Sequence, residues 1–216
     1  VSGKPSALKK SRTEKGHIFL PTVEGGWRTE VFRICILSEA FKASGYKVHV
    51  LLCDDDLDMC HQKEEKDSSL ACSLCKTRGH NMMKKFNIEY TTIKDHLPSG
   101  YVVPQIKVDS RKSYRGIDIH KYALSSTRRY LKRYTVDTKE SDHKEIYSRF
   151  LCSAVKTVDV IKSISDNYPF SAVIGRHPAY IPGGPILEIF RQNDVPSYSY
   201  GVGYRDQHVI FNLTNH

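Results

Sequence analysis

The order of patterns within residues 15–53 constrains this chain more than anything else in it. Residues 15–21 (KGHIFLP) make a short apolar run with strand character, and residues 22–27 form a turn that holds Gly25 and Gly26. Residues 28–44 then place Ile34, Leu37 and Phe41 at helical spacing, and Gly45 ends the helix. Residues 46–53 (YKVHVLLC) form a second β-rich run that opens into aspartates. Two strands joined through a helix lie parallel, with a right-handed crossover. Parallel sheets are covered on both faces. The expected fold is therefore α/β, a Rossmann-like parallel sheet flanked by helices.

The rest of the chain extends that unit. Residues 53–80 have little periodicity and read as a Cys-rich insertion after the second strand, with a short helix running up to Phe86. Residues 88–93 (IEYTTI) read as a third strand, and residues 117–134 and 143–168 as helices. In the second of these, Ile146, Phe150, Ala154, Val158 and Ile161 form an apolar stripe. Residues 171–175 (SAVIG), a helix at about 184–193 and residues 196–201 (PSYSYG) make a second strand–helix–strand unit. The expected division is a flexible basic tail at 1–14, one domain at 15–205, and a hinge or truncated end at 206–216. Ligands of such sheets sit at the carboxyl ends of the strands. Residues 23–28, the aspartates after Cys53, residues 176–180 and residues 201–204 then share one rim.

Charge is concentrated in two places. The net charge is +9. Residues 1–15 contribute +4 and residues 111–133 contribute +7, so the remainder is slightly acidic. That distribution suggests one local anionic partner rather than general coating of nucleic acid. Arg128, Arg129, Lys132 and Arg133 are the candidates for contact with an anionic membrane leaflet or with phosphates, although a merely solvated helix face has the same composition. No RNA-binding signature accompanies them, so nucleic acid is an unfavoured partner. No apolar run reaches the roughly eighteen residues of a membrane-spanning helix, and residues 1–15 lack the apolar core of a signal peptide. The expected location is the cytoplasm, with the membrane surface as an alternative.

Three sets of residues could carry chemistry. Glu24, Gly25, Gly26, Trp27 and Arg28 form a turn where backbone and a helix N-terminus can approach a ligand, with Trp27 offering a flat apolar surface. The turn matches neither a dinucleotide fingerprint nor a phosphate-binding loop of the Gly-Lys-Ser/Thr kind. Arg176 and His177 follow a strand and could bind phosphate or exchange protons near neutral pH. Cys53, Cys60, Cys72 and Cys75 include a C-x2-C pair, which suits tetrahedral structural zinc. An iron–sulfur cluster or unligated thiols are the alternatives. No G-x-S-x-G elbow appears, so a hydrolase is not expected.

Taken together, the strand–glycine turn–helix of residues 15–44, the strand ending at Cys53-Asp54-Asp55 with its following cysteines, and residues 171–176 with the helix and Asp194-Val195-Pro196-Ser197-Tyr198 after them resemble the N-terminal half of GT-B class glycosyltransferases of surface or capsule polysaccharide biosynthesis. The resemblance implies an acceptor-side domain. A sugar would pass from a nucleotide-sugar donor, bound mainly by a second domain, to a glycan or lipid-linked acceptor. It implies Gly25, Gly26, Trp27, Arg28 and Arg176 as substrate-binding residues, and leaves His177 and Glu24 as candidate catalytic groups. Two other readings stand beside it: a zinc-containing nucleic-acid-binding module, and another GT-B-fold sugar-nucleotide enzyme such as an epimerase.

Overall fold

The computed structural model describes residues 15–22, 28–63, 68–108, 113–202 and 208–214. Along the chain lie β1 (His17–Thr22), α1 (Arg28–Ala43), β2 (Lys47–Leu52), α2 (Ser68–Lys85) and β3 (Tyr90–Thr92). They are followed by α3 (Ile119–Leu131), α4 (Ser141–Asn167), β4 (Phe170–Arg176), α5 (Gly183–Gln192), β5 (Ser197–Val202) and β6 (Val209–Leu213). The sheet order is β3-β2-β1-β4-β5-β6. All neighbours are parallel except β6, which runs antiparallel to β5. The fold is thus a mixed α/β one, with a mostly parallel sheet between helices.

Alternation along the strands separates two cores. Ile18 and Leu20 of β1, Val50 and Leu52 of β2 and Ile174 of β4 face one side, where Val31, Ile34 and Cys35 of α1 and Met83 of α2 cover them. Phe19, Leu51 and Val173, one residue out of step, face the other side beneath α4 and α5. This is the period-two pleat of a sheet buried on both faces. The second core is the larger and holds Phe19, Phe150, Phe170 and Phe190. Phe19 lies 5.1 Å from Phe170 and 5.3 Å from Phe190 between ring centroids. Burying each such side chain stabilises the fold by about 1.5–3 kcal/mol.

Two features of the sequence reading are sharpened. The segment expected to be an unpatterned insertion is helical from Ser68 onward, so Cys72, Cys75 and His80 all stand on α2. The helix hides its period because it is peripheral. It buries Cys72, Gly79 and Met83 but leaves Leu70 and Leu74 exposed. The basic helix is shorter than residues 117–134. Asp118 caps its start by accepting a hydrogen bond from the Lys121 N–H, and Lys132 ends it in the left-handed conformation at φ 53°. The Lys132 and Arg133 N–H groups then donate to the carbonyls of Arg129 and Arg128, a left-handed C-cap.

The β1-β2-β3 half and the β4-β5 half grow outward from the β1/β4 boundary. Chain connections on the two sides of this boundary diverge, which leaves a crevice at the strands' carboxyl ends. Gly183 and Gly184 let α5 seat tightly beside it. A Cβ on Gly183 would stand 1.9 Å from the Arg176 carbonyl oxygen, and one on Gly184 would stand 2.2 Å from the Tyr122 ring.

Candidate active site

At the crevice, the first turn of α1 presents Glu30, which is only 4% exposed. Its carboxylate pairs with Arg33 one turn on, and with Arg176 at the end of β4 at 3.1 Å. Tyr200, on β5, donates its hydroxyl to Glu30. Burial, with the Glu30 charge second, raises the Tyr200 hydroxyl far above the ordinary tyrosine range, so it stays protonated. Three elements therefore meet on one buried carboxylate. A buried charge persists only where partners replace its water, and the first turn of a helix favours a negative group.

His177 follows Arg176 directly, in the left-handed region at φ 54°. Strain of this kind in a non-glycine residue gathers at functional sites. Burial, and then the neighbouring Arg176 and Arg129 charges, lower its pKa to about 4. The imidazole is uncharged at neutral pH. His177 and His61 both lie against the Tyr180 ring, with centroids at 5.9 Å and 5.4 Å. The Arg129 guanidinium lies over the same ring, 4.8 Å from its centroid. Tyr180 thus joins the end of β4 to the end of α3.

Beyond Tyr180 opens a groove of about 520 Å³, lined by Arg128, Arg129, Lys132, Arg133, Tyr134 and Tyr180. Tyr134 is almost wholly exposed. The chain turn at Lys132 is what places these cations around a concavity instead of along a straight helix face. Cations are also favoured at a helix C-terminus, which offsets their mutual repulsion.

At the far rim, β2 runs into Asp54 and Asp55, both left-handed at φ 55° and 71°. Aspartate tolerates that region better than most residues. His80 bridges Asp54 and the Tyr90 hydroxyl, each at 2.5 Å, and Lys76 stands 3.3 Å from Asp54. Cys53, Cys60, Cys72 and Cys75 line one small cavity behind this rim. Burial, with Cys60 next to it, pushes the Cys53 thiol up to about 12. Burial and the Asp55 carboxylate do the same for Cys72.

The expected zinc site is not formed. Among the described residues no group of three or more His, Cys, Asp or Glu is placed to hold a metal ion. The four thiols approach one cavity from a strand end, a turn and a helix, and the sequence spacing carried no information on whether they point at a common centre. Glu24, Gly25, Gly26 and Trp27 lie outside the described residues, and of Arg28 only its backbone place at the start of α1 is described. Arg176 and His177 do stand at the crevice, and the structure brings Arg129 to them through Tyr180. Glu30, Tyr200 and Tyr180 were not singled out by the sequence. A signal for Glu30 was present: a carboxylate at the head of the apolar stripe that continues through Ile34.

No family model matches the sequence, and no curated protein matches it. Among solved structures, a CDPS, or cyclodipeptide synthase, from Fluoribacter dumoffii is similar in fold, with a TM-score of 0.53 and 12% sequence identity. The likeness takes in 92% of this chain and 91% of that one. It corrects the glycosyltransferase reading. The fold corresponds to nearly the whole of the neighbour and not to half of a GT-B enzyme. The nucleotide-sugar donor, the glycan or lipid-linked acceptor and the exclusion of nucleic acid as a partner fall with it. So do the zinc-module and epimerase alternatives. No helix among the described residues is long and apolar enough to cross a membrane.

Proposed function

We propose that this protein is an aminoacyl-tRNA-using enzyme that joins aminoacyl groups into a cyclic dipeptide, the activity its structural neighbour suggests. The observation that supports this most is the basic groove at the end of α3, which adjoins the strand-end crevice through Tyr180. RNA brings phosphates to the groove, and the acyl ester at its end reaches the crevice. Phosphate contacts of this kind fix register without reading sequence.

The chemistry is a pair of acyl transfers. The amine of one aminoacyl group attacks the ester carbonyl of another. A C–N bond forms, the ester C–O bond breaks, and the ribose hydroxyl leaves with the proton that the amine gives up. A second attack within the dipeptidyl ester closes the ring and releases the second RNA. We assign Arg176 to stabilise the charge that develops on the ester oxygen. Uncharged His177 exchanges the proton between amine and leaving hydroxyl. Glu30 holds Arg176 in place, and Tyr200 in turn holds Glu30. Glu24, Gly25, Gly26, Trp27 and Arg28 remain the candidates to close the crevice from the β1 side.

Binding of tRNA over a range of salt tests this reading. Affinity is expected to fall steeply with salt. Arg128→Ala, Lys132→Ala and Arg133→Ala are each expected to reduce the log–log slope by roughly 0.7–0.9. Binding that ignores salt, or a slope that the triple variant leaves unchanged, would count against it.

A further inference from the structure

Independently of that reading, Cys53, Cys60, Cys72 and Cys75 line one cavity together with Asp55 and Lys63. The cavity measures about 20 Å³. Roughly 10–15 Å³ suffices for one water, so a molecule of two oxygen atoms fits and a bulky disulfide such as oxidised glutathione does not. Within it the two thiols nearest Lys63 differ. The Gln62 N–H donates to the Cys60 sulfur at 3.4 Å, and the Lys63 ammonium faces Cys60 and Cys72. Both contacts suit sulfur in its negative, nucleophilic form. The Cys72 thiol instead donates to the Asp55 carboxylate, which also pairs with Lys63 at 3.3 Å. One thiol thus has the surroundings of an attacking group, and its neighbour has a proton acceptor already in contact.

We propose that Cys60 and Cys72 form a peroxide-driven thiol–disulfide site that staples the loop after β2 to α2. The Cys60 thiolate attacks one oxygen of hydrogen peroxide. An S–O bond forms, the O–O bond breaks, and hydroxide leaves, becoming water with the proton that Cys60 released to solvent on ionisation. Cys60 is then a sulfenic acid. The Cys72 sulfur attacks that sulfur and passes its proton to Asp55. The S–S bond forms, and the departing hydroxide takes the proton as a second water. Two thiols are oxidised and one peroxide is reduced. The same loop carries His61, so the disulfide fixes the segment that lies against Tyr180.

The test is peroxide treatment of the reduced full chain, followed by thiol titration and peptide mass mapping. The expected result is loss of two of the six thiols and one cross-link between the Cys60 and Cys72 peptides. Cys60→Ser and Cys72→Ser each prevent the cross-link, whereas Cys152→Ser leaves it intact. Oxidised glutathione produces little of it over the same time. The mapping of the unsubstituted chain needs no variant to fold. An unchanged thiol count, a cross-link between other cysteines, or thiols that react only after a chelator has withdrawn a metal would each overturn the proposal.

Discussion

Glu30 shows at the scale of one residue how the crevice is held. Its carboxylate is shared by Arg33, Arg176 and Tyr200, and water barely reaches it. Glu30→Gln removes the buried charge that Arg33 and Arg176 share. The expected loss is about 3 kcal/mol, seen as a fall in Tm of roughly 6–12 °C. Tyr200→Phe removes one hydrogen bond and is expected to cost about 1 kcal/mol. A Glu30→Gln protein as stable as the parent would show that the network holds nothing. The histidines give a pH dependence. Burial is the main cause that lowers His49, His61 and His177 from 6.5 to about 4. Between those values the unfolded chain binds more protons than the folded one, so stability rises with pH across that window. Urea unfolding should therefore show stability lost as pH falls from 6.5 towards 4, and His61→Gln should lessen the loss. A flat profile would contradict the buried neutral imidazoles. Residue-scale chemistry was only partly legible in the sequence. Arg176 and His177 could be placed because they follow a strand, whereas Glu30 needed knowledge of which helix face turns inward.

At the scale of elements, α3 carries most of the function proposed here through the way it ends. Lys132 takes the left-handed conformation so that its own N–H and that of Arg133 can cap the last turn. A residue with a Cβ is strained there and glycine is not. Lys132→Gly is thus expected to stabilise the protein by about 0.5–1 kcal/mol in chemical denaturation while it weakens tRNA binding. Such opposite signs would mark a position kept for its charge. A substitution that lowers both together would show that Lys132 serves the fold. The sequence predicted the helix but ran it through to residue 134, because basic residues are good helix formers and no glycine marks the stop. Strands β1 to β5 and helices α1, α4 and α5 were legible because buried elements carry full apolar periods, whereas β6, exposed along its length, falls in residues read as a hinge or truncated end. Only the later part of α2, running up to Phe86, was legible, since a helix that touches the fold along a narrow strip needs few apolar residues.

For the whole molecule, the order of the elements as far as β5 was legible and the function was not. A strand, a glycine turn and a helix recur wherever a parallel sheet is wound on both faces, so the pattern of residues 15–53 fits many unrelated activities. That is why it pointed to a sugar transferase, and why a comparison of complete folds was needed to correct it. The +7 segment at residues 111–133 was read as an anion contact, and its meaning changed once the groove was seen beside the crevice. The proposed cyclic-dipeptide synthesis is tested by incubating the full chain with a mixture of aminoacyl-tRNAs and following the products by mass spectrometry. Cyclic dipeptides are expected to accumulate as the esters disappear, with the yield falling sharply in Arg176→Ala. Esters that survive as long as they do without protein, or that release only single amino acids, would contradict it.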